Sequence, residues 1–159
     1  MKIAIYPGTF DPITNGHIDV IERSSLIFDK VVVAVLEKSN NKKLVFDNKE
    51  RLDLVNQSIA DFTNVHAEVF DELLIKYAKF KDASIIIRGL RAISDFEYEF
   101  QMALMNRSLD SNISTVFLMP HQKYIHISSS LVKEVIALGG DISTYVPKHV
   151  QLLLEKKYS

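Results

Sequence analysis

The chain of 159 residues carries a formal charge of −1, with 25 % charged residues, five histidines and no cysteine. Its length suits one domain, since domains typically run to about 100–150 residues. The charge balance supplies no global positive field for nucleic acid or an anionic membrane, so local basic groups must carry any anion binding. The missing cysteines exclude disulfides, thiol catalysis and cysteine-held metal, and fit a reducing, cytoplasmic setting.

The first apolar run, Ile3 to Tyr6, predicts a strand that stops and turns at Pro7-Gly8, because glycine tolerates positive φ and proline lacks a ladder donor. This opening stretch is too short for a signal peptide. Asp11-Pro12 and Asn15-Gly16 read as turn dipeptides, and helical spacing follows from Ile18 to Phe28, with His17 projecting from the first helical turn. Val31 to Leu36 is a second strand, and the polar segment Lys38 to Lys43 reads as a surface loop. The spacing then predicts a helix over Asn48 to Phe62, a strand over Val65 to Phe70, a helix over Glu72 to Phe80 and a strand over Ser84 to Ile87. A further helix over Phe96 to Ser108 and a strand over Thr115 to Met119 follow. Ser128-Ser129-Ser130 forms a cap before Leu131 to Ile136, Gly139-Gly140 is the matching stop, and a last helix runs from Pro147 to Tyr158.

Continuously apolar strands alternating with amphipathic crossovers point to an α/β architecture, a parallel sheet covered on both faces. The longest apolar runs are strand-sized, so no membrane span is expected. Ligands of such sheets bind beyond the carboxyl ends of the strands, where successive connections diverge. The loops on that rim carry Thr9, His17, Lys42 or Lys43, Arg88, Arg91 and the hydroxyls of Ser128 to Ser130, all of them donors to phosphate oxygens. His17 sits where free N–H groups and the helix dipole favour an anion. Arg88 ends a buried run abruptly and must meet either an anion or a carboxylate, the candidates being Asp95, Glu97 and Glu99. The serines serve equally as a helix cap, which uses the same N–H groups as an anion site. No P-loop, dinucleotide fingerprint or nucleophile elbow is present. Direct in-line phosphoryl or nucleotidyl transfer, driven by positioning and charge stabilisation, fits this inventory best.

Gly8 to His17, Ile87-Arg88-Gly89-Leu90-Arg91, Asp95-Phe96-Glu97-Tyr98-Glu99 and Ile127-Ser128-Ser129-Ser130-Leu131-Val132-Lys133 together resemble the bacterial phosphopantetheine adenylyltransferases, over essentially the whole chain. Thr14-Asn15-Gly16-His17 alone matches the broader nucleotidyltransferase signature. The resemblance implies a single Rossmann-like domain over residues 1–159, with a central parallel sheet flanked by helices plus C-terminal helices. It also implies transfer of the adenylyl group of ATP to 4′-phosphopantetheine, giving dephospho-coenzyme A and pyrophosphate, with Mg2+ accompanying ATP and no protein-held metal site. His17 is then the transition-state stabiliser. ATP is surrounded by Thr9, Phe10, His17, Gly89, Leu90, Arg91, Glu99, Tyr124, Ile125, His126, Ile127, Ser128, Ser129 and Ser130. Thr9, Lys42, Leu74 and Arg88 bind phosphopantetheine, with Leu73 beside them. The resemblance further implies a cytoplasmic homohexamer, coenzyme A as feedback inhibitor, and neither nucleic-acid nor membrane partners. Two other readings are an adenylyl- or cytidylyltransferase for a different acceptor, such as nicotinate mononucleotide or glycerol phosphate, and a non-catalytic ATP-sensing module. A bare sensor has no use for Lys42, Arg88 and Leu74.

Overall fold

The computed structural model describes residues 1–38 and 43–159. Five strands, β1 (Ile3–Gly8), β2 (Lys30–Leu36), β3 (Val65–Phe70), β4 (Ile85–Gly89) and β5 (Ser114–Leu118), form one sheet in the order β3-β2-β1-β4-β5. Every neighbouring pair is parallel. The helices are α1 (Asn15–Ile27), α2 (Asn48–Ser58), α3 (Leu74–Phe80), α4 (Ile93–Leu109), α5 (Ser129–Ala137) and α6 (Lys148–Tyr158). Among the described residues, no helix is long and apolar enough to cross a membrane.

The two-residue period of the strands sorts the core into two layers. Ala4 and Tyr6 of β1 and Val31, Val33 and Val35 of β2 face one way, against Val20 and Ile21 of α1, Leu54 and Val55 of α2, Val132 of α5 and Val150 and Leu154 of α6. Ile5, Val32, Ala34 and Ile86 face the other way, against Ile75, Tyr77 and Ala78 of α3. Burial on both faces explains why β2 reads Lys-Val-Val-Val-Ala-Val-Leu without polar alternation. α4 departs from the amphipathic helix expected of a crossover. Its buried residues are Glu99 and Asn106, while Tyr98, Phe100, Leu104 and Met105 are exposed.

The first strand runs through Pro7 and ends at Gly8, as the dipeptide predicts. It continues in register with β2 through Pro7↔Ala34 and Gly8↔Val35. On its other side it pairs with β4 only at Ala4↔Ile85 and Ile5↔Ile86. The Pro7 carbonyl, instead of a ladder partner, receives Arg88 Nη1 at 3.3 Å. In extended backbone the N and C=O of a residue face the same neighbour, so the donor that Pro7 lacks falls where β4 has already parted from β1. The divergence of these two strands at the point where strand order reverses opens the crevice.

Asn15-Gly16 is not a turn but the first two residues of α1. Thr14 caps the helix: its hydroxyl accepts from His17 N–H at 3.4 Å, and His17 Nδ1 accepts from the Thr14 N–H at 3.0 Å, a capping box with histidine in the place of the usual glutamate or glutamine. α2 and α3 are shorter than their spacing predicts, ending at Ser58 and beginning at Leu74. The remaining elements fall within a few residues of expectation.

Candidate active site

A cleft of about 680 Å³ lies above the parted ends of β1 and β4. One wall is the β1–α1 loop. Phe10 has φ +50°, a left-handed conformation that a bulky residue adopts only when its surroundings hold it there. Its buried ring is edge-on to Tyr6 at 5.5 Å and to His17 at 5.1 Å, measured between centroids. Burial pushes the Tyr6 phenol far above its ordinary pKa, so it stays neutral. A Cβ on Gly8 would come within 3.0 Å of Phe10 Cε2 and Cζ. Gly8→Ala therefore has to displace a ring that packs on His17, and we expect a loss of about 1–3 kcal/mol in urea unfolding together with reduced turnover.

The cap also settles the state of His17. A backbone N–H can only donate, so Nδ1 must be the acceptor and the ring proton of the neutral imidazole sits on Nε2. The ring thus offers a donor on the side opposite the helix cap, at an end of α1 where N–H groups and the helix dipole already favour anions.

Arg88, at the end of β4, donates through Nε and Nη2 to both carboxylate oxygens of Glu99, each at 2.7 Å. Of the three acids that could have paired with it, Glu99 is the one that does. Burial by itself lowers the Arg88 pKa, but the Glu99 carboxylate outweighs it and the net shift is upward. The arginine is therefore held charged and planar at the cleft floor. Arg91 Nη1 donates to the Ile127 carbonyl at 2.7 Å, bracing the segment that leads into α5. There Ser128 caps the helix, accepting from Leu131 N–H at 3.0 Å, and Ser129 Oγ donates to the Pro12 carbonyl at 2.7 Å. Leu36, Phe70 and Leu74, from the ends of β2 and β3 and the start of α3, give the far end of the cleft an apolar lining.

A family model described as cytidylyltransferase-like matches residues 5–135. The phosphopantetheine adenylyltransferase of Desulfosudis oleivorans is 54 % identical over 99 % of this chain and 93 % of its own length. That of Vesicomyosocius okutanii is 50 % identical over 98 % of each. The chain belongs to the phosphopantetheine adenylyltransferases. A solved structure provisionally assigned as a nicotinate-nucleotide adenylyltransferase, from Vibrio parahaemolyticus, superposes with a TM-score of 0.73 at 26 % identity over 99 % of this chain and 95 % of that one. It shares the Rossmann-like sheet flanked by helices.

Of the residues singled out in this adenylyltransferase from its sequence, Thr9, Phe10, His17, Leu73, Leu74, Arg88, Gly89, Arg91, Glu99 and Ile127 to Ser130 all border the cleft. Leu90, Tyr124, Ile125 and His126 do not line it. Leu90 faces a shallow apolar depression with Ile93, Phe96 and Met119, the Tyr124 backbone sits beside Gly16, and His126 packs edge-on against Tyr145 at 5.7 Å. Lys42 lies outside the described residues; Lys43 is exposed.

Three charged residues that sequence reasoning passed over hold the site together. Asp11, read as half of a turn dipeptide, is buried, accepts from Val45 N–H at 3.0 Å and Phe46 N–H at 2.9 Å, and pairs with Lys133 at 2.9 Å. It thereby fastens the β1–α1 loop both to the segment before α2 and to α5. Arg51 is completely buried beneath the same loop. Its signal was available: Arg51, Leu54 and Val55 stand at i, i+3 and i+4, so the arginine belongs to the apolar face of α2. Nothing comparable marks Asp11 or Lys133.

Proposed function

We propose that the cleft transfers the adenylyl group of ATP to 4′-phosphopantetheine by direct in-line attack, yielding dephospho-coenzyme A and pyrophosphate. A phosphate oxygen of the acceptor bonds to the α-phosphorus as the bond to the departing pyrophosphate breaks, and no enzyme-bound intermediate forms. The observation that carries this reading is the meeting, in one cleft, of His17 at a helix N-terminus, Arg88 clamped by Glu99, and an apolar end formed by Leu36, Phe70 and Leu74. A phosphorylated molecule with a long, weakly polar arm needs both ends.

In this reading His17 Nε2–H donates to the oxygens on which charge accumulates during transfer. Thr9 stands between the two substrates, while Gly89, Arg91 and the Ser128 to Ser130 turn surround the nucleotide, and Arg88 holds the acceptor phosphate with Lys42. Leu90, Glu99 and the Tyr124 to His126 segment remain candidates for the nucleotide side. Glu99 enters chiefly through Arg88, since both its oxygens are engaged there.

Among the described residues, no group of three or more histidine or acidic side chains could hold a metal. Of the three carboxylates that line the cleft, Asp11 and Glu99 are committed to Lys133 and Arg88, and Glu72 is exposed at its edge. Such a donor set suits Mg2+ carried on the triphosphate, where it neutralises oxygens as pyrophosphate leaves. The exposed apolar residues of α4, Tyr98, Phe100, Leu104 and Met105, support self-association, with a homohexamer as the proposed assembly. Coenzyme A combines the pantetheine arm with an adenylate and fits the same cleft as an inhibitor, and the proposed location is the cytoplasm.

Pyrophosphate release tests the activity. We expect release with ATP plus phosphopantetheine, and background release with CTP plus glycerol phosphate or ATP plus nicotinate mononucleotide. Release only with one of the latter pairs rejects the assignment, and binding of ATP without release from any pair supports a sensor.

A further inference from the structure

Arg51 is an expensive way to fill the inner face of a helix. The residue is 0 % exposed, its Nε meets no acceptor, and among the described residues it forms no ion pair with a carboxylate. Burying an ion that way is costly unless its remaining donors are well used. They are used on backbone. Nη1 donates to the Thr9 carbonyl at 2.8 Å and the Leu36 carbonyl at 2.7 Å, and Nη2 to the Glu37 carbonyl at 3.0 Å and to Asn48 Oδ1.

The Thr9 contact bears on chemistry. The Thr9–Phe10 peptide is trans, Asp11–Pro12 being the one cis bond among the described residues. In a trans peptide the carbonyl oxygen and the following N–H point in opposite directions. Drawing the Thr9 oxygen down to the buried guanidinium therefore turns the Phe10 N–H away from the core, to the side of the loop that borders the cleft. No acceptor among the described residues meets that N–H. Phe10 itself is in the left-handed conformation, which a phenylalanine does not hold unaided.

We propose that Arg51 is a positioning residue for adenylyl transfer, setting the Thr9–Phe10 peptide so that the Phe10 N–H donates to an oxygen of the bound triphosphate. The inference rests on the reading of ATP as the donor substrate. A lysine at this position keeps the charge but loses the planar fork that reaches carbonyls of two loops at once.

The test compares wild type with Arg51→Lys, using the non-transferring analogue α,β-methylene ATP. Calorimetry measures binding of the analogue and, separately, of phosphopantetheine, and protein labelled with 15N-phenylalanine reports the Phe10 amide. In wild type the Phe10 amide moves on saturation with the analogue. In the variant that movement is lost and analogue affinity falls about 10- to 100-fold, the range for one hydrogen bond to a charged group, while phosphopantetheine affinity is retained. Unchanged analogue affinity, or a parallel fall for both ligands, overturns the proposal. So does a wild-type Phe10 amide that stays put while calorimetry shows the analogue bound, which leaves the ATP reading standing; a wild type that does not bind the analogue removes both. Should Arg51→Lys fail to fold, Asn48→Ala, which removes one of the two acceptors of Nη2 and leaves the Glu37 carbonyl, is expected to show a smaller loss with the same preference for the analogue, and wild-type affinity there overturns the proposal.

Discussion

Replacing His17 by alanine is expected to leave the sheet intact and to lower turnover by at least ~10²-fold, the range seen when one donor to developing charge is removed from a closed site. Two effects must be separated. The imidazole is half of the α1 capping box, and losing the acceptor for the Thr14 N–H costs about 1 kcal/mol of helix stability by itself. The core beneath α1, with Val20 and Ile21 buried, stays in place. His17→Gln distinguishes the two contributions, because glutamine is a natural partner at this position of a capping box. The melting temperature should return towards wild type in His17→Gln while kcat stays low. If glutamine restores turnover, His17 acts through the helix cap and not through Nε2–H.

Arg88→Met is expected to damage both stability and acceptor binding. It strands the Glu99 carboxylate, only 8 % exposed, in a site built around a guanidinium. Removing one partner of a buried pair costs about 3–5 kcal/mol, and the partial exposure of Arg88 places this case near or below the lower end. The variant also loses the only side chain from β4 that reaches across the gap to the Pro7 carbonyl. The double variant Arg88→Met/Glu99→Gln removes the stranded charge. Denaturant unfolding should recover most of the stability, whereas the KM for phosphopantetheine should remain raised in both variants. A double variant with normal KM would reduce Arg88 to a structural partner of Glu99.

The same pair shows how far the sequence carries. That Arg88 needs an anion or a carboxylate follows from its position after Ser84 to Ile87, a run apolar enough to be buried. Which carboxylate is a matter of where the first turns of α4 lie against the strand ends, and helix periodicity does not choose between Asp95, Glu97 and Glu99. The strands, their parallel arrangement and the rim on which the donors gather were legible because burial on both faces leaves an unbroken apolar signature in β1, β2 and β4. Pro7-Gly8 marks the end of β1, and Pro7 lies inside the strand for a local reason. The donor that proline lacks has no partner to lose there, because β4 has already turned aside from β1.

By itself the sequence determined the alternation of strands and helices, a helix start with His17 in its first turn, and the chemistry of the donors available for phosphate, because these depend on residues close together in the chain. Only the tertiary structure decided that Asp11 would tie two loops and α5 together, that Arg51 would lie under Thr9, that Glu99 would take Arg88, and that α4 would turn its apolar residues outward. Those outcomes depend on long-range packing, in which a buried charge is placed by whichever partners the fold brings within reach.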